Sequence, residues 1–459
     1  MPLFNPVASA PLTGVTCAVL GDSHVSNGFN SVAPGQTGAA QNFTNWGFTS
    51  WVRFLTNQNV LISNAYNFGH GGDTLAQISA RVGSVVALNP TFCIVEGGTN
   101  DLAASTSAAS MESTWLNNII LPLINSGVVV LVTPIVPRAS SAITAAALLT
   151  QQRFNTYVRE FCYGRIRGGN ANVILCDPTP LLTDYTSARG DPITTLFYDS
   201  PNLHPNANGC FFYAQPFATA LALLTAQMPT QLQHNADVFD ATNNPCGNGL
   251  RAAGVQRGNM AGTTGTATTS TGFTFLGTSI ATGFTVQRTS GTSTATADCT
   301  KENPRTDLPN SVSGIQNGER QLITFATSTT GGSDEQYEIR FTSTLSLSSG
   351  DFKAGDQVYA ECSMELLTLT NVTAVELQVN EFGGAFSQQA YDMARSGTNS
   401  QSMPAFASAQ RGRMRTDIIT LQAGSTSVTW KVVVHMNVAS ANGAATIKVA
   451  DASIRKVAS

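Results

Sequence analysis

The sequence predicts an α/β unit built on a doubly wound parallel sheet, followed by an all-β, jelly-roll-like sandwich. Three observations carry this. Five short apolar, β-branched runs in the first half are separated by stretches with helical potential, the pattern of a parallel sheet covered on both faces. After about Gln227 that pattern gives way to period-two alternation among Thr, Ser and Gly, as in many short strands joined by turns. Only 11% of the 459 residues are charged while 42% are hydrophobic, so the chain can bury a large core despite a charge content far below the usual quarter or so.

The elements follow in order. Val15–Leu20, Val60–Ser63, Phe92–Val95, Val128–Val132 and Val173–Leu175 read as buried parallel strands. Helical potential lies in Trp46–Leu55, Thr74–Val82, Glu112–Ile124, Ala145–Arg167 and Ala207–Ala226. Beyond them, Phe273/Phe275, Phe284/Val286, Tyr337/Ile339/Phe341 and Leu345/Leu347 repeat at a spacing of two. Val358–Cys362, Val375–Val379, Val432–Val438 and Thr446–Val449 continue the series. The Thr/Gly-rich stretch at 262–272 reads as a loop or edge hairpin. The expected organisation is therefore an N-terminal extension at 1–13, an α/β domain at 14–227, a linker at 228–250 and a β-sandwich at 251–459.

A net charge of −4 argues against nucleic-acid binding. No apolar run approaches the roughly 20 residues of a membrane span, so no membrane insertion is expected. The start, MPLFNPVASAPLTG, lacks the basic and apolar regions of a secretory signal. Of eight cysteines, Cys17, Cys93 and Cys176 lie in or beside apolar runs, where a thiol acts as a small hydrophobe. Cys162, Cys210, Cys246, Cys299 and Cys362 are scattered, and there is no CxxC. Buried free thiols are expected, with Cys246–Cys299 the first pair to check for a disulfide.

Chemistry concentrates where strands end. The first strand runs into Gly21-Asp22-Ser23-His24, the second is followed by Asn67-Phe68-Gly69-His70-Gly71-Gly72-Asp73-Thr74, and the third by Gly97-Gly98-Thr99-Asn100-Asp101. Ligands in doubly wound sheets bind at this carboxyl edge. A serine placed there can present Oγ, Gly72 an unshielded N–H and Asn100 an amide, and donors so arranged can converge on an oxyanion. Late in the α/β half comes Asp199-Ser200-Pro201-Asn202-Leu203-His204. His204 is the only histidine in that stretch, so it is the natural general base for Ser23.

This ordered set resembles the SGNH, or GDSL, hydrolase family over roughly residues 14–227. The resemblance implies an SGNH-hydrolase-like sheet and ester hydrolysis through an acyl-enzyme, with neither a metal nor an organic cofactor. It implies Ser23 as nucleophile, His204 as base, and the Ser23 N–H, the Gly72 N–H and Asn100 as oxyanion hole. The family usually carries its orienting acid three residues before the histidine, where this chain has Pro201. Asp199, five before, can serve if the loop bulges; Asn202, a backbone carbonyl or no third member stay open.

Plainer readings stand beside these. His24 and His70 flank the site and either reach into it, support it from behind or face solvent. Asp73 and Asp101 read as helix caps, Glu96 as a partner of backbone groups, and Asp177 as a turn or cap. His234 and His435 have no neighbouring ligand partners in sequence, so no metal is assigned.

The motifs leave the ester open; the chain resembles SGNH domains joined to Ser/Thr/Gly-rich β-sandwiches, of the carbohydrate esterase type found in bacteriophage tailspike proteins, and that resemblance implies a polymeric carbohydrate substrate. Phe382, Phe386, Tyr391, Phe406 and Trp430 are candidate sugar platforms, or core. The expected function is removal of O-acetyl groups from a bacterial surface polysaccharide, capsule or O-antigen. The expected setting is a phage tail protein, in the virion or extracellular, and a homotrimer is an assembly consistent with it. The alternatives are a secreted bacterial carbohydrate or lipid esterase and a non-enzymatic glycan-binding adhesin on the same fold.

Overall fold

The computed structural model describes residues 15–457 except 31–40, 171, 226–236, 253–254, 278, 303–318, 343–344, 348–351, 384–388 and 396–402. The expected 1–13 extension, His234 and Phe386 lie outside the described residues. The chain forms two compact units, one from Met1–Phe29 and Trp46–Met228, the other from Asn30–Asn45 and Pro229–Ser459.

The first unit holds a parallel sheet in the spatial order Val60–Leu61, Val15–Gly21, Phe92–Val95, Val129–Val132, Val173–Leu175. The expected second strand is split: Val60–Leu61 pairs with the start of the first strand, and Asn67–Gly69 pairs with its end. Strand order thus reverses between the first and third strands, which pair in parallel through Cys17–Phe92 to Leu20–Val95. Ala18 and Leu20 belong to one hydrophobic cluster with Cys93, Val95, Val130 and Trp115. Cys17 and Val19, which point the other way, are equally buried, so both faces are covered and the strands read as continuous apolar runs.

Helices follow the expected segments with shifted ends. Phe48–Leu55, Ala145–Arg167 and Ala207–Leu224 are helical. The 74–82 stretch breaks into Leu75–Ser79 and Val82–Leu88, and Trp115–Ile120 is a π-helical segment between Ala108–Thr114 and Leu121–Asn125. One close approach decides two glycines. A Cβ at Gly47 would stand 2.0 Å from the Gly28 Cα, so the chain leaves this unit and returns to it at nearly one point.

Among the described residues the second unit is built mainly on two β-sheets, of nine and seven strands, beside a two-stranded ladder of Arg251–Ala252 and Val255–Gln256. Tyr337, Ile339, Phe341, Trp430, Val432, Leu377 and Val379 of the larger sheet are buried, as are Ile323, Phe325, Ile447 and Val449 of the smaller. Phe325 stacks on Tyr337 at 5.2 Å, and the Trp430 Nε1–H donates to the Glu361 carbonyl at 3.2 Å, so the inward faces of the two sheets meet. The Thr/Gly-rich stretch supplies Thr264–Thr268, an edge strand parallel to Ile280–Ser290 rather than half of a hairpin.

Two parts of this unit depart from the expected boundaries. Gln41–Thr44, expected inside the α/β domain, pairs in parallel with Gln389–Ala394 of the nine-stranded sheet. The stretch expected as a linker contributes buried Phe239, Asn248 and Leu250. Asn248 accepts from the Ile454 N–H and donates to the Ala452 carbonyl, so its end is stitched into the sheet. All eight cysteines are unpaired, and Cys246, expected as a disulfide candidate, is partly exposed while Cys299 is buried.

Candidate active site

The reversal of strand order fixes where the site sits, because neighbouring strands whose connections diverge leave a crevice beyond their carboxyl ends. Gly21 closes the first strand. A Cβ there would meet the Val25 side chain at 2.6 Å and the Glu96 carbonyl at 2.9 Å, so only glycine permits this approach. Asp22 caps the short helix Ser23–Ser26 by accepting the His24 N–H at 3.1 Å. Ser23 therefore sits at the first position of a helical turn on the strand edge.

His204 reaches the same point from a tight loop. The Tyr198 N–H donates to the His204 carbonyl at 3.1 Å, closing the loop, and Asn206 caps the following helix by accepting the Gly209 N–H. Inside it, Asn202 takes a left-handed conformation (φ 58°). That turn absorbs the two extra residues between acid and base. One Asp199 oxygen accepts the Leu203 N–H at 2.7 Å and the His204 N–H at 2.9 Å, and the other lies 2.6 Å from His204 Nδ1. On the far side of the ring, Nε2 is 2.8 Å from Ser23 Oγ. Ser23, His204 and Asp199 thus form a continuous line; Asn202 shapes the loop and does not meet the ring.

Electrostatics favour a neutral base. Burial and the nearby charge of His24 lower the His204 pKa, with Asp199 opposing them. Burial alone would raise the Asp199 pKa, but the His204 and Leu203 N–H groups and the imidazole hold it below its usual value.

The donors gather less tightly. Asn100 Nδ2 donates to the Asp73 carbonyl at 3.0 Å and to Asp22 Oδ2 at 3.3 Å. Both bonds run from the one amide nitrogen, so the side chain is held beside Asp22. Gly72 is exposed with φ +86° and open space on its side-chain face. A Cβ on the preceding Gly71 would lie 3.8 Å from that of Ser23, which puts this loop beside the serine.

The structure decides among the plainer expectations and corrects that for Asp73. Asp73 caps no helix: it pairs with Arg81 and His70, while Thr74 and Gln77 form the capping box. Asp101 caps across space, accepting the Leu75 N–H at 2.8 Å. Asp177 accepts the Thr179 N–H, as a turn residue does, and also pairs with Arg159. His70 is exposed. In the second unit His435 lies between Asp334, at 2.8 Å, and Glu376, at 3.2 Å; these partners are distant in sequence. Tyr391 and Trp430 are buried, Phe406 is half-buried, and Phe382 is exposed.

Two functional neighbours were not legible as such. His24, fully buried, places Nδ1 3.0 Å from the Glu96 carboxylate and Nε2 2.9 Å from the Leu203 carbonyl. A carbonyl only accepts, so Nε2 carries a proton. Burial disfavours a charged ring, yet the Glu96 carboxylate outweighs it and the His24 pKa is pushed up to about 9. The shifts favour a charged ring facing an ionised Glu96, while burial and Glu96 together drive the Asp22 pKa up. These three are a group of potential ligating side chains, with donor atoms within 4.8 Å of one another, but hydrogen bonds engage both His24 nitrogens. Arg138 is the other neighbour. It donates to the Thr99 hydroxyl at 2.6 Å, and its charge acts on Asp22 and Asp199. Its only sequence signal is its place, six residues beyond the fourth strand.

Residues 19–210 match the model of the GDSL-like Lipase/Acylhydrolase family, and the parallel sheet with its helices fits an SGNH α/β fold. No curated protein matches the chain. Solved structures similar to it include a GDSL-like lipase from Bacteroides thetaiotaomicron (14% identity, 45% of this chain and 87% of that one, TM-score 0.34). They also include a carbohydrate esterase family 3 protein from Talaromyces cellulolyticus (17%, 46% and 97%, TM-score 0.33). A third is an α/β hydrolase from the metagenome of Lake Arreo (18%, 47% and 98%, TM-score 0.35).

Proposed function

We propose that this protein is a serine esterase of the SGNH type that removes O-acetyl groups from a bacterial surface polysaccharide. The observation that carries the esterase reading is the unbroken line from Ser23 Oγ through His204 to Asp199, at 2.8 and 2.6 Å. In the reaction Ser23 Oγ attacks the ester carbonyl while His204 Nε2 takes its proton, and Asp199 stabilises the imidazolium. The carbonyl oxygen becomes an oxyanion facing the Ser23 and Gly72 N–H groups and the Asn100 amide. Collapse expels the sugar hydroxyl, which receives the proton from His204, and leaves acetyl-Ser23. Water, deprotonated by His204, then releases acetate and restores the serine. An intact nucleophile, base and acid support this reading over that of a non-enzymatic adhesin.

The polysaccharide substrate rests on the attached Ser/Thr/Gly-rich β unit, and the same feature motivates a role as a phage tail protein in the virion, or an extracellular one, with trimeric assembly. Acetate release from a panel of acetylated capsule and O-antigen polysaccharides tests activity and substrate class together. Release from these polymers, abolished in Ser23→Ala, is the expected result. Hydrolysis of a small acetate ester without release from any polymer would remove the polysaccharide assignment and leave the esterase. Light scattering on the intact protein tests the trimer.

A further inference from the structure

The outer face of the nine-stranded sheet carries a groove of about 310 Å³, at the small end of the roughly 300–1,000 Å³ common for ligand sites. Three adjacent strands build it by alternation. Tyr337, Ile339 and Phe341 point into the sandwich, so Glu338 and Arg340 point outward. Trp430 and Val432 point in, so Thr429 and Lys431 point out. Val379 points in, and Asn380 and Phe382 point out. The ladder sets Asn380 opposite Thr429 and Arg340 opposite Lys431.

Three features of this groove are unexplained by folding alone. Two cations face each other directly across a strand pair, an arrangement that destabilises a sheet. The single buried Glu338, at 3.5 Å from Lys431 and 3.7 Å from Arg340, offsets one of the two charges. Asn380 Oδ1 and Thr429 Oγ1 are buried without a hydrogen-bond partner among the described residues, although buried polar atoms are nearly always matched; Arg340 Nε, ion-paired with Glu338 at 3.7 Å, makes no hydrogen bond either. Finally, Phe382 leaves a large aromatic ring 42% exposed at the groove's edge.

We propose that this groove binds an acidic sugar residue, a subsite separate from Ser23; the assignment deepens, and rests on, the reading of the substrate as a glycan. Arg340 and Lys431 hold the sugar carboxylate and supply the missing anion. A ring hydroxyl over the Asn380–Thr429 pair donates to the amide oxygen and accepts from the threonine once its hydroxyl turns toward the groove. The C–H face of the ring lies on Phe382. An uncharged sugar satisfies the last two contacts and leaves the facing cations uncompensated, which is why the preference is for an acidic one.

The test is saturation-transfer NMR and titration calorimetry on the full-length protein, with trigalacturonate and triglucuronate as probes and maltotriose as the uncharged control. At least one acidic trimer should bind, and maltotriose should bind about tenfold more weakly or worse, the scale of a charge-assisted contact. Arg340→Gln and Phe382→Ala, each verified as folded by circular dichroism, should each weaken the acidic trimer by about tenfold or more. Ser23→Ala should bind it as the wild type does. Binding that survives both groove substitutions, equal affinity for maltotriose, or no binding of either acidic trimer overturns the assignment. Because binding is read without turnover, a protein that binds but hydrolyses no ester loses the esterase reading and keeps the groove. One that deacetylates polymer but fails these titrations does the reverse.

Discussion

His24 Nε2 donates to the carbonyl of Leu203 at 2.9 Å, one residue before the proposed base, and its Nδ1 is anchored on Glu96. The loop that delivers His204 is thereby tied to the carboxyl ends of the first and third strands by a buried ion pair. In the proposed reaction His24 is a positioning residue: its ring lies 5.5 Å from that of His204 between centroids, and its charge joins burial in lowering the His204 pKa.

Ser23→Ala should lower hydrolysis of a chromogenic acetate ester by about three or more orders of magnitude, leaving only binding and oxyanion contributions. A serine-directed phosphonate should label the wild type at Ser23. Labelling elsewhere, or near-wild-type turnover in the variant, would sink the nucleophile assignment.

The acid and the ion pair should shift the pH profile in opposite directions. His204 must be neutral to accept a proton, so kcat/KM falls as pH drops through its pKa, which lies below 6.5. His24 lowers that pKa and Asp199 raises it. His24→Leu should therefore move the acid limb to higher pH, with kcat reduced by about 10- to 100-fold through misplacement of the base. Asp199→Asn should move it to lower pH and cost up to about 10⁴-fold. Limbs that shift together, or not at all, would count against both roles.

Asn100→Ala should reduce kcat by roughly 10²–10³-fold with little change in KM, as for other oxyanion donors. A change confined to KM would instead make Asn100 a substrate-positioning residue.

Stability should carry the signature of the buried pair. The His24 pKa is about 9 in the folded chain against roughly 6.5 when unfolded. A raised pKa stabilises fully below pH 6.5, and that stabilisation is lost as pH rises toward 9. Glu96→Gln should cost about 3–5 kcal/mol near pH 6, and the deficit should narrow by pH 9.5. Urea midpoints for both proteins across this range check it; a deficit independent of pH contradicts an ionised His24.

The first unit was largely legible because its strands are buried on both faces and its motifs fall at strand ends, where chemistry is positioned by local chain geometry. Ser23, His204 and Asp199 were nameable from sequence for that reason, although the left-handed turn at Asn202 that lets Asp199 reach back was not. His24, Glu96 and Arg138 were opaque because their roles come from contacts across 72, 179 and 39 residues, and separations of that kind leave no periodic trace. His435, whose partners Asp334 and Glu376 come from other strands, was missed in the same way. Gln41–Thr44 was hidden for a further reason: its partner strand lies in the other half of the chain.

That partner also imposes an order on synthesis. Gln41 pairs with Ala390, so on a ribosome making about 5–20 residues per second the strand waits about 20–70 s for its neighbour. During that interval the edge of Gln41–Thr44 that Gln389–Ala394 later covers stays open, a surface prone to mispairing. The protein's yield in cells should depend on how well that edge is shielded until the last third of the chain emerges.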